Sequence, residues 1–139
     1  FLIMAFGVFG CVIGGFRSVS KGSAKVAYGF LLLSGLLCLI SPLLYQLSPS
    51  LFLALMCLWG FAVIGDSPQF SSLNAKYAPS ELKGTALTLA VSVGFFLTIP
   101  SIQLMELLKE LIPTQWLLFT LAIGPVFGLI STRKLIRNS

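Results

Sequence analysis

One acid stands alone in the apolar middle of this chain. Between Lys25 and Lys76 the only charged residue is Asp66. A carboxylate at membrane depth can do two kinds of chemistry. It can carry a proton, or it can hold a cation or a hydrogen-donating solute. Helical spacing places further polar groups beside it. Trp59 precedes it by two turns and Gln69 follows by one, so both share its side with Ala62, Val63 and Phe70. Ser67 is adjacent. Pro68 lacks an amide proton, which frees the carbonyl of Ile64 and favours a local kink, and Ser67 is placed to re-satisfy that region. Asp66, Gln69, Trp59 and Ser67 are therefore the candidate substrate- or proton-binding residues. A structural role competes with this reading. Asp66 could pair with a basic residue elsewhere, cap a broken helix end, or belong to a gate near one membrane face.

Nothing else in the sequence offers enzyme chemistry. There is no His, no cluster of acids, and no Ser placed with a base, so a nucleophile would lack its partner. Cys11, Cys38 and Cys57 lie in apolar runs without metal-ligand spacing and read as small apolar fillers. No cofactor, metal or catalytic residue is expected.

The elements that must carry Asp66 are membrane helices. The chain is 57% hydrophobic and 9% charged, with mean hydropathy +1.00, whereas a soluble domain is about a quarter charged. Lipid is the better solvent for such a surface. Charge-free windows of about 20 residues place five spans near 1–16, 26–47, 51–74, 84–105 and 111–132. Polar Gly/Ser/Lys residues (17–25), a Ser-Pro hairpin (YQLSPS), APSELK and Pro113 mark the connections. The fold class is all-α, a polytopic helix bundle. The first residues, FLIMAFG, contain neither an initiator Met nor the basic start of a signal peptide, and read as a fragment that begins inside a span.

The span at 51–74 can tolerate its acid. An Asp at a helix centre costs about 2.5 to 3.5 kcal/mol on insertion, and each Leu, Ile, Phe or Val returns about 0.3 to 0.6. Leu51, Phe52, Leu53, Leu55, Leu58, Phe61, Val63 and Ile64 together offer roughly 2 to 5 kcal/mol. Asp66 consumes most of that margin, so it should face the protein interior or a water-filled cavity rather than lipid.

Charge sets an expected topology. Five spans put Arg17, Lys21, Lys25, Lys76, Lys83, Arg133, Lys134 and Arg137 on one side, and only Lys109, beside Glu106 and Glu110, on the other. The positive-inside rule makes the loops at 17–25 and 76–83 and the C-terminus cytoplasmic, in a multi-pass protein of the cell (inner) membrane. The net charge of +5 is explained by this asymmetry, without nucleic acid. Tyr28, Tyr45, Tyr77 and Trp116 fall at expected helix ends, where amphipathic rings favour the headgroup region. Gly10-xxx-Gly14 and Gly124-xxx-Gly128 are spaced for close packing between helices.

Two stretches resemble the major facilitator superfamily. Gly10-xxx-Gly14-Gly15, followed by a basic turn through Gly22, is similar to that family's loop G-x-x-x-G-G-x-x-x-D-R-x-G-R-R, with Val19 and Ser20 where the acid and the Arg would stand. APSELKGTALTL, residues 78–89, is similar to its entry into helix 11, with Lys83 in place of Arg. The region from Gly65 to Leu104 also resembles nitrate/nitrite-porter-type members, although LTLAVSVGFFLT has Gly94 and no Asn. The resemblance implies a twelve-helix transporter, of which residues 1–139 are a partial C-terminal six-helix half, about helices 8 to 12. It implies alternating access of a small solute or ion, with or without proton coupling, at a midplane site facing an N-terminal half of the same transporter. Helix 51–74 would line that cavity. A membrane scaffold or sensor that never transports is the alternative, and would carry a packed apolar face where a transporter carries a polar, wet one.

Overall fold

A computed structural model of the chain describes residues 1–137, all of them helix or short connection. Helix α1 runs Leu2–Lys21, α2 Ser23–Leu47, α3 Pro49–Tyr77, α4 Lys83–Leu111, α5 Thr114–Leu121 and α6 Ile123–Arg137. Five helical stretches are long and apolar enough to cross a membrane, the last of them running through both α5 and α6. This is the architecture of a multi-pass membrane protein. Many large apolar side chains are exposed along these helices, among them Phe9, Phe16, Phe95, Phe96 and Phe127, as a lipid-facing surface requires.

The expected loop at 17–25 is corrected by the structure. Helix α1 continues through Arg17 and Lys21, and α2 begins at Ser23, so the turn is Gly22 alone, at φ 83. Basic side chains in a last turn favour the negative helix end, and only glycine adopts that φ freely. Charge marked where the membrane ends, while the helix ran past it. The other connections are equally short. Ser48 caps α3, its hydroxyl accepting from the Leu51 amide at 3.2 Å. A 3₁₀ turn at Ser80–Leu82 leads into α4, and Pro113 stands at the N-cap of α5. The side chains of Lys134 and Arg137, which enter the expected charge asymmetry, lie outside the described residues.

Glycine decides which helices touch most closely. α1 packs most extensively on α3, in parallel, and α2 packs on both α3 and the α5–α6 segment. A side chain at Gly10 would strike the Phe61 carbonyl oxygen, and one at Gly7 the Ile64 side chain. At Gly60 it would come within 2.6 Å of the Ile3 carbonyl oxygen, and at Gly65 within 3.0 Å of the Gly10 backbone. Small residues let two membrane helices approach to backbone contact. On the α2–α6 side a side chain at Gly128 would begin 3.1 Å from the Leu31 side chain. Gly10 and Gly14 of the first small-residue pair thus pack within the chain, whereas in the second only Gly128 does and Gly124 faces open space. α4 and the short α5 have no buried residue.

Candidate functional site

Proline leaves open carbonyls in this bundle, and two of them have found partners. Pro68 in α3 cannot donate to Ile64, and the Cys11 thiol of α1 donates to that carbonyl at 3.3 Å. Pro42 in α2 cannot donate to Cys38, and the fully buried Ser41 hydroxyl donates there at 2.7 Å. The helical span after Pro113 breaks between Leu121 and Ile123, four residues before Pro125, which withholds its amide from Leu121.

The Cys38 and Leu121 positions open on one cavity, whereas the Ile64 carbonyl is engaged by α1. The cavity has a volume of about 250 Å3 and lies between α2, α3 and the α5–α6 break. Asp66 lines it with Trp59, Ser34, Cys38, Leu121 and Pro125. Cys38 and Leu121 are the residues whose carbonyls lost a proline's amide. Ser34 is buried, at 2% exposure. The Trp59 indole nitrogen is buried without a hydrogen-bond partner among the described residues. The space is large enough for several water molecules, and its lining is mostly apolar, with Asp66 and Ser34 among its few polar residues.

The four predicted residues are not all gathered there. Asp66 and Trp59 face the cavity. Ser67 is exposed, and its hydroxyl points to Asp66 Oδ1 at 3.4 Å, a long contact. Gln69 does not line the cavity. It is 2% exposed and lies toward α1, with its Nε2 3.2 Å from where a side chain at Gly14 would begin. Its Oε1 has no partner among the described residues. A step of three residues turns a helix about 60° short of a full circle, and α3 is wedged between α1 and α2, so that difference separates two interfaces.

Ser34, Cys38, Leu121 and Pro125 were missed. Their signal was weak but present: stepping back four residues from Pro42, Pro68, Pro100 and Pro125 gives Cys38, Ile64, Phe96 and Leu121, of which Cys38 and Leu121 line the cavity. Cys11 was misread as filler for the same reason. No group of three or more His, Cys, Asp or Glu side chains is arranged to hold a metal ion among the described residues. The only ion pair among the described residues is Lys109 with Glu106, at 3.7 Å on an exposed helix end. No protein-family model, curated protein or solved structure matches the chain.

Proposed function

We propose that the protein is a secondary transporter of a small solute, and that Asp66 is the group that binds the solute or its coupled proton. The observation that carries this reading is the placement of the lone intramembrane acid. It faces a cavity walled by three proline-containing spans, the last of them broken into α5 and α6. Discontinuous helices with freed carbonyls at membrane depth are the usual construction of transporter binding sites. A carboxylate there selects for a proton, a cation or a hydrogen-donating group. The resemblance of the 10–25 and 78–89 stretches to the major facilitator superfamily supports the same reading. In it, the five spans are helices 8 to 12 of a twelve-helix fold, the charged ends at 17–25 and 76–83 and the C-terminus face the cytoplasm, and an N-terminal half completes the protein.

The α5–α6 break gives the cavity a wall that can move. Two short helices meeting at Ala122 shift against α2 at less cost than one continuous helix. Gly35 of α2 faces Pro125 of α6, where an added side chain would begin 3.3 Å from the Pro125 side chain. Proton flux into proteoliposomes with an entrapped pH dye tests the proposal, with a panel of small polar solutes added in turn. The wild-type protein should show solute-dependent flux, and Asp66→Asn, which keeps the shape and removes the charge, should lose most of it. Equal flux in the two proteins would contradict the role of Asp66. No flux with any solute would favour the scaffold.

A further inference from the structure

Another large concavity of the bundle does not include Asp66. It is a groove of about 740 Å3 between α1 and α3, lined mainly by Phe6, Phe9, Ile13, Leu53, Leu58 and Phe61. Phe61 also walls a second concavity, of about 280 Å3, whose lining includes Arg17, Lys21 and Lys25. Along α1 the side chains of Phe6, Phe9, Ile13, Arg17 and Lys21 follow at steps of three and four, so they form one stripe. That stripe changes from aromatic to cationic toward the end of the span.

Neither part of this surface is satisfied by the chain itself. No acid lines either concavity, and none of the three cations is in an ion pair among the described residues. The apolar groove lies on helices that cross the membrane, where no water is present to fill it. Its occupant must be apolar at membrane depth and anionic at the membrane surface. The dimensions agree with a lipid. Phe6 and Arg17 are separated along α1 by about 16 Å at the helical rise of 1.5 Å per residue. That is close to one leaflet, half of the ~30 Å hydrocarbon core.

We propose that this surface is a binding site for an anionic phospholipid. The phosphate sits among Arg17, Lys21 and Lys25, and one acyl chain lies over Phe61 in the α1–α3 groove. Basic pockets beside membrane helices hold anionic headgroups by charge. Here the adjoining groove adds a fixed place for the chain, and so distinguishes one bound lipid from a general attraction to the bilayer surface. The occupant is independent of whether Asp66 transports anything.

The test uses the full chain in vesicles of phosphatidylcholine carrying a small fraction of phosphatidylglycerol, extracted into mild detergent and read by native mass spectrometry for retained lipid. The wild-type protein should retain one phosphatidylglycerol in preference to phosphatidylcholine. Arg17→Gln with Lys21→Gln, both at exposed positions, should weaken that preference about fivefold per charge removed. Arg17→Lys with Lys21→Arg should keep it, and Phe9→Ala should lower retention without changing headgroup preference. Lys83→Gln removes a cation that lines neither concavity and should change nothing. No preference for phosphatidylglycerol, an equal loss in Lys83→Gln, or displacement by millimolar inorganic phosphate would overturn the proposal.

Discussion

Replacing Gly10 by Ala adds one methyl group to a place that has no room for it. The new carbon would fall on the Phe61 carbonyl oxygen and within 3.0 Å of the Phe61 carbonyl carbon. Both are backbone atoms and cannot rotate away, so α1 and α3 must separate along their longest interface. Overpacking of this kind costs about 1–3 kcal/mol, toward the upper end when backbone must move. Alanine also favours a helix over glycine by about 0.8–1.0 kcal/mol, which would mask part of the loss. Gly15→Ala is the matched control. It lies in the same helix, and a side chain there meets nothing within 4 Å. Subtracting the two variants cancels propensity and leaves the packing cost, about 2–3 kcal/mol. Reversible unfolding in mixed micelles, followed by Trp fluorescence, measures that difference. Equal stabilities for Gly10→Ala and Gly15→Ala would refute backbone contact between α1 and α3.

Three further outcomes follow from the connections between helices. Cys11→Ala should cost about 0.6 kcal/mol, and at most about 1.7, whereas Cys11→Ser should cost less. In a Pro68→Ala background the Ile64 carbonyl regains an amide donor, so the Cys11→Ala cost should fall toward zero in a double-mutant cycle. Ser41→Ala should cost about 1 kcal/mol, because it leaves the Cys38 carbonyl without its 2.7 Å donor in a fully buried position; the same unfolding assay reads it. Gly22→Ala should cost about 1–3 kcal/mol from backbone strain alone, since φ is 83 with ψ 140 and the space is open, and Gly22→Asn should cost as much, because that ψ lies outside the left-handed helical region that asparagine tolerates.

The helical class and the five spans were legible because lipid imposes a simple rule. Only helices and closed barrels satisfy their own backbone there, and the unbroken apolar runs at 26–47 and 84–105 have the length and composition of helices. The ends were less legible. Arg17 and Lys21 show where the chain meets water, but a helix in water remains a helix, and the only true break is the positive-φ Gly22. Asp66 was legible as interior because a buried charge needs a partner or water. Its surroundings were not. Ser34, Cys38 and Pro125 come from other helices, and helical periodicity within α3 says nothing about which helix lies opposite. Gln69 shows the same limit: it shares a broad face with Asp66, yet α1 covers one part of that face and the cavity the other. The proline arithmetic that gave Ile64 from Pro68 would also have given Cys38 from Pro42 and Leu121 from Pro125, since a missing amide exposes a carbonyl four residues earlier.

The account turns on whether Asp66 lies on a path that water and solute can reach. We would introduce Asp66→Cys with Cys11→Ser, Cys38→Ala and Cys57→Ala, retaining a donor to the Ile64 carbonyl. The protein in its membrane is then exposed to a membrane-impermeant thiol reagent from each side in turn. The account predicts labelling at position 66, at a rate that changes when a transported solute is present. No labelling from either side under any solute would contradict it, and would make Asp66 a buried structural acid.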